Sequence, residues 1–159
     1  MPLSRRSRHE VARWPTEREA AVLDRTGANV VGVAGSSGKT ITASLLSELL
    51  RGTGGRVWLG LQPALARPDR LSSRDHVLLE LPCRPPAHDP VRLDVLVMTG
   101  LAADELPEGV DLGDAVAAMA EAVSVTRRAV VVNADDARVL ALTHNGRMPV
   151  WTASLNGHG

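Results

Sequence analysis

Short, unbroken apolar runs alternate along the chain with stretches in which apolar residues recur every three or four positions. The runs fall at 29–34, 56–59, 76–81, 93–99, 129–133 and 150–152. They are rich in valine and leucine and too short for helices. Few polar positions interrupt them, as expected of strands covered on both faces of a parallel sheet. Helical spacing is found at 17–24, from 41 to about 50, at 113–125 and at 135–143. The first of these opens with Pro15, Thr16 and Glu17, acid where the helix dipole favours it, and stops at Gly27. Turn chemistry fills 52–55, while 63–73 and 82–90 read as irregular loops marked by prolines. Strand and helix in alternation, joined by right-handed crossovers, predict an α/β domain of three layers with a mostly parallel sheet. The loops that follow its strands gather along one edge, where ligands bind in such sheets.

The first strand–helix junction carries the sharpest signal, Gly35-Ser36-Ser37-Gly38-Lys39-Thr40. Strand, glycine loop, Lys-Thr and helix is the layout of a phosphate-binding loop, or P-loop. Glycines let the backbone wrap a phosphate, N–H groups and the helix N-terminus point at it, and the lysine adds a full charge. The threonine hydroxyl stands where it can hold a magnesium ion that bridges the phosphates. Lys39 is the only lysine in the chain, against 17 arginines. A compact ammonium on a flexible stem fits inside a closed loop better than a planar guanidinium does. The spacing Gly32-x-x-Gly35-x-x-Gly38 is not the dinucleotide fingerprint, because position 34 is alanine. Nor is it the standard Gly-x-x-x-x-Gly-Lys loop, because Val33 stands six before Lys39.

Composition narrows the class. At 159 residues the chain is one domain, expected over 15–155, with a flexible basic arm at 1–14 and a tail at 156–159. Aromatic content is 2%, all tryptophan, so the core must come from Val, Leu, Ala and Met. Eighteen basic residues balance eighteen acidic ones, and the one basic cluster is Arg5-Arg6-Ser7-Arg8. That leaves no electrostatic footprint for nucleic acid beyond a short arm. No apolar run can span a membrane, and the N-terminus lacks the apolar region of a signal peptide. The single Cys83 rules out an internal disulfide and fits a reducing compartment. A cytoplasmic domain is expected.

Chemistry collects at the strand ends. Glu80 closes the apolar run 77–79, where a carboxylate needs a cation, and Asn133-Ala134-Asp135-Asp136 closes the fifth run and opens a helix. The histidines at 9, 76, 88, 144 and 158 show no pairing at metal spacing.

From Gly32 to Thr42 the chain fits Gly-Val-x-Gly-[Ser/Thr]-x-Gly-Lys-[Ser/Thr]-x-Thr. This resembles the nucleotide loop of the Mur ligase family, ATP-dependent amide ligases that add amino acids to peptidoglycan precursors. The stretch Gly60-Leu61-Gln62-Pro63-Ala64-Leu65 is similar to a loop of the D-glutamate-adding member. The run 93–106 resembles the family's strand leading into Thr-Asn-Ile and Asp-His-Leu, and Asn133-Ala134-Asp135-Asp136 its Asn-x-Asp-Asp element. These segments span 30–153 in family order, so the resemblance is to the central ATP-binding domain.

The resemblance implies ATP and Mg2+ as cofactors. Gly35, Ser36, Ser37, Gly38 and Lys39 would cradle the phosphates, Thr40 and Glu80 would hold the metal, and Asn133 would meet the adenine. Lys39 and Glu80 would be the catalytic pair. Glu105 replaces the family's metal-binding histidine and would serve as an oxygen ligand. The implied reaction turns a carboxylate into an acyl phosphate at the expense of ATP, after which an amine displaces phosphate.

The departures are equally specific. Leu81-Pro82-Cys83 stands where the family has Ser-Ser after the glutamate, and Gly100 replaces an asparagine. No lysine lies near Ala120, where the family carries a carbamylated one. The family's N-terminal and C-terminal ligase domains have no counterpart in the 159 residues. Three readings stay open at this level. The chain is the ATPase part of a carboxylate–amine ligase completed by a partner protein or another subunit. Alternatively it is a nucleotide-binding scaffold or regulatory subunit without turnover, or it is a fragment of a longer ligase.

Overall fold

The computed structural model describes residues 12–144 and 148–157. In chain order the elements are α1 (Glu17–Thr26), β1 (Asn29–Ala34), α2 (Lys39–Arg51), β2 (Val57–Leu59), α3 (Leu61–Leu65) and β3 (His76–Glu80). There follow β4 (Leu93–Met98), α4 (Leu112–Ser124), β5 (Thr126–Asn133), α5 (Ala137–Ala141) and β6 (Val150–Ala153). The strands form one six-stranded sheet in the order β2-β3-β1-β4-β5-β6, and every neighbouring pair is parallel. This is the expected α/β sheet, and its parallel pairing puts all the strand exits on one edge.

Alternation along the strands divides the core between the two faces. Val31, Val33 and Leu78 turn to one side, where they meet Ala43, Leu46 and Leu50 of α2. Val30, Val77, Leu79, Leu96 and Met98 belong to the larger cluster on the other side, with Leu23 of α1, Ala115, Met119 and Ala122 of α4, and Val139 of α5. With so few aromatic residues the core is close-packed aliphatic, as composition requires.

The edge where the strands start is stitched by two buried aspartates. Asp75 accepts from the backbone N–H and guanidinium of Arg56 and from the backbone and hydroxyl of Ser72. Burial pushes its carboxyl up, but the donors from Arg56 and Ser72 outweigh burial and hold it below the usual carboxylate range. Asp94 accepts from the Val30 amide at 2.8 Å and pairs with Arg127 and Arg128. These contacts fix β1, β2, β3, β4 and β5 where they begin, far from the ligand edge.

Several boundaries move for identifiable reasons. The expected arm at 1–14 ends sooner: Trp14 is buried and its indole N–H donates to the Arg84 carbonyl at 2.8 Å. Arg13 pairs with Glu19, the glutamate of a capping box with Thr16 at the start of α1. Residues 1–11 lie outside the described residues, as do His158 and the end of the expected tail. Within the stretch read as loop, α3 forms despite Pro63, because a proline in the first turn removes an N–H that has no helical partner. A 3-10 turn follows at Pro68–Arg70. β5 starts at Thr126 rather than 129, since Arg127 and Arg128 turn outward to Asp94 and break the apolar run without breaking the strand. α5 is shorter than expected, because Asp136 caps it by accepting from the Arg138 amide.

Candidate functional site

The loop 35–38 leaves β1 in the middle of the sheet, flanked by the exits of β3 and β4. Register brings those exits level: Val33 pairs with Glu80, and Ala34 with Met98. A cavity of about 270 Å³ opens there, lined by Ser36, Ser37, Gly38, Lys39, Thr40, Ile41 and Glu80.

Backbone geometry explains the glycines. Gly35 has φ 147°, and a Cβ built on it would lie 2.0 Å from the Thr99 hydroxyl oxygen and 3.0 Å from the Gly100 carbonyl. Gly38, the N-cap of α2, takes the left-handed φ of 76° and brings no side chain to the first helical N–H groups. The turn into α2 thus presents backbone donors and the positive end of a 13-residue helix to the cavity.

The side chains complete the cradle. Lys39 Nζ donates to the Gly35 carbonyl at 2.5 Å, and the buried Cys83 Sγ contacts the same carbonyl at 3.2 Å. The Thr40 hydroxyl donates to Glu80 Oε2 at 2.9 Å, so these two oxygens already share one side of the cavity. The loop is braced from β4 and the segment after it. Ser36 N–H donates to the Gly100 carbonyl and Ala102 N–H to the Ser36 hydroxyl, both at 2.9 Å. The Thr99 hydroxyl lies 2.6 Å from the Ser37 carbonyl and 3.2 Å from that of Ala34.

Of the residues expected from sequence, Ser36, Ser37, Gly38, Lys39, Thr40 and Glu80 are brought together around the cavity, with Gly35 beneath it. Asn133 stands one strand further on. Its side-chain N–H donates to the Thr99 carbonyl at 2.9 Å and its oxygen accepts from the Asp135 amide, tying the exits of β4 and β5. Glu105 lies exposed on a 3-10 turn, Ala103–Glu105, and does not line the cavity. Ala120 is on the exposed side of α4. Among the described residues no three His, Cys, Asp or Glu side chains group as a metal site.

Sequence reasoning gave two contributors no role at the loop. Thr99 and Gly100 read as the end of the fourth strand, and only the strand order, which sets β4 beside β1, brings them under the loop. The nearest signal was the threonine at a strand exit. Beyond the loop, the Ser154 hydroxyl and the Leu155 amide hold Asp135 below the usual carboxylate range. Asp136 accepts from the Leu101 amide at 2.7 Å.

An α/β domain with a fully parallel sheet and a lysine-bearing glycine loop at the exit of its central strands is the class that fold and site define. Known proteins narrow it. The chain is 34% identical over 104 residues to the UDP-N-acetylmuramoylalanine--D-glutamate ligase of Clostridium beijerinckii, covering 64% of this chain and 22% of that enzyme. It is 32% identical over 82 residues to the enzyme of that name from Clostridium botulinum, covering 50% of this chain and 18% of the other. The chain therefore spans less than a quarter of the length of these relatives. No protein-family model matches.

Among solved structures, a UDP-N-acetylmuramoyl-L-alanyl-D-glutamate--2,6-diaminopimelate ligase superposes with TM-score 0.64 at 21% identity, over 82% of this chain and 32% of its own. Escherichia coli FolC in complex with DHPP and ADP follows at TM-score 0.55 and 20% identity, over 87% of this chain and 47% of its own. A bifunctional folylpolyglutamate synthase/dihydrofolate synthase with Mn, AMPPNP and L-glutamate bound gives TM-score 0.52 at 19% identity, over 91% and 49%. Sequence and fold agree: the chain carries a Mur ligase-like domain.

Proposed function

We propose that this domain binds ATP with a divalent cation, Mg2+ in the cell, and serves as the ATPase part of an amide ligase that activates a carboxylate. The observation that carries the reading is the convergence of Lys39, Thr40 and Glu80 on a cavity floored by a loop that tolerates no Cβ at Gly35. These residues fit a nucleoside triphosphate and its metal. Gly35, Ser36, Ser37 and Gly38 would surround the phosphates, and Lys39 would add the charge once it leaves the Gly35 carbonyl. Thr40 and Glu80 supply hard oxygen donors to the cation, which when bound neutralises charge on the phosphate oxygens. Asn133 would meet the adenine from the next strand exit, whereas Glu105, expected as a metal ligand, lies outside the cavity and has no role in this reading.

Support comes also from solved relatives of this fold that hold ADP, or AMPPNP with Mn. The two curated relatives are named for joining UDP-N-acetylmuramoylalanine to D-glutamate, so that carboxylate and that amine are the first to try. Their sites would come from a partner protein, another subunit or further chain. Cytoplasmic location accords with this substrate class. Among the described residues no helix is long and apolar enough to cross a membrane. Neither membrane nor nucleic acid is a proposed partner.

A specific observation favours a second reading, a nucleotide-binding scaffold or regulatory subunit without turnover. Among the described residues Glu80 is the one carboxylate lining the cavity, and no lysine follows Lys39 in the sequence. Phosphate release decides between them. The ligase reading predicts release from MgATP that depends on the added carboxylate and amine and is lost in Glu80→Gln. Tight MgATP binding with no release, even alongside co-purifying proteins, would leave the scaffold.

A further inference from the structure

We propose that Thr99 is a positioning residue for the phosphate cradle, acting through the hydrogen bond from its hydroxyl to the Ser37 carbonyl. This rests on the reading of 35–40 as a cradle for the phosphates of ATP.

A hydroxyl has one proton, and two carbonyls lie near it. The Ala34 carbonyl already takes the Thr99 backbone N–H at 2.9 Å and is 3.2 Å from the hydroxyl. The Ser37 carbonyl is 2.6 Å away and receives the proton. The peptide that joins Ser37 to Gly38 is trans, so its C=O and N–H point in opposite directions. Holding the carbonyl down on β4 therefore turns the Gly38 N–H away from Thr99, on a residue that lines the cavity.

Packing makes this bond specific. A Cβ on residue 35 would occupy the hydroxyl's place, at 2.0 Å, so the hydroxyl reaches the loop only because residue 35 is glycine. The Gly35 carbonyl is held as well, by Lys39 and Cys83, but the lysine is the group a phosphate would recruit. The Thr99 bond is made by a side chain that does not line the cavity and so persists when the cavity fills. Donors fixed before the ligand arrives need no ordering on binding, which is how preorganisation raises affinity.

Thr99→Val removes the hydroxyl and keeps the shape, whereas Thr99→Ser keeps the hydroxyl and drops a methyl. In calorimetric titration of the whole chain with MgATP, Thr99→Val is expected to bind about tenfold more weakly, and Thr99→Ser to bind like the parent. Hydrogen exchange on the nucleotide-free proteins reads the loop directly. The hydrogen-bonded amides that pin the loop, those of Ser36, Thr42 and Ala102, should exchange several-fold faster in Thr99→Val, with those of β1 and β4 unchanged, and return to the parental rate in Thr99→Ser. Parental exchange in Thr99→Val would overturn the proposal, and so would a Thr99→Ser variant as impaired as the valine. Were the parent chain not to bind MgATP, the ATP reading would fail, yet the exchange comparison would still decide whether Thr99 holds the loop.

Discussion

Gly35 is the residue on which the loop depends most directly. Its φ of 147° lies in a region open to glycine, and the space a Cβ would need is filled by the Thr99 hydroxyl. Gly35→Ala should therefore lose MgATP binding at least tenfold and cost about 1–3 kcal/mol of stability, the scale of a strained backbone position, measured by calorimetry and urea unfolding. Glu80 makes a different kind of contribution. It accepts from Thr40 at 2.9 Å, and a glutamine there keeps the shape while removing the charge. Glu80→Gln is expected to raise the Mg2+ concentration needed for half-maximal ATP binding about tenfold, with binding in EDTA unchanged. Equal shifts with and without the cation would take Glu80 away from the metal. Lys39 was legible in the sequence as the one lysine of a glycine loop. Thr99 was not, because its meaning comes from strand order.

At the scale of elements, the outer edge of the sheet and the first helix carry the electrostatics. Asp75 sits at the head of β3 with five donor contacts from Arg56 and Ser72. Asp75→Asn should destabilise the fold by about 2–3 kcal/mol in urea, the range for breaking one partner of a buried pair, while the MgATP affinity of the folded protein stays as it was. In α1, the Arg13 guanidinium holds the Glu19 carboxyl down to about 2, against an ordinary 4.5. As pH falls, the unfolded chain takes up that proton first. The stabilisation is whole above about 4.5 and drains away between there and about 2. Parent and Glu19→Gln should differ by about 1 kcal/mol at pH 6, the scale of a partly exposed ion pair, and converge toward pH 2. The helix pattern of α2 was plain in the sequence, but its facing was not. Leu46 and Leu50 meet the sheet, whereas Ile41, Leu45 and Leu49 are exposed, and leucines at helical spacing do not say which row is covered.

For the molecule as a whole, the unbroken apolar runs were enough to read a parallel α/β sheet, because only strands covered on both faces can lack polar positions. The order β2-β3-β1-β4-β5-β6 was beyond reach, since periodicity fixes what an element is and not its neighbours. That gap explains which site residues were legible. The loop and Glu80 announce themselves locally, by glycine spacing and by a carboxylate closing an apolar run. Trp14 was hidden at the end of a polar, arginine-rich stretch, and its burial rests on a carbonyl seventy residues away. Asn133 reads equally as a helix start and as a base contact, and in the structure it bridges the exits of β4 and β5.

The central claim is that the cavity above Lys39 receives the phosphates of ATP, and a calorimetric titration of MgATP into the parent chain and into Lys39→Ala tests it most directly. The account predicts one nucleotide bound per chain in the parent and at least a hundredfold weaker binding in the variant, with both proteins equally folded. Equal binding by the two would contradict it.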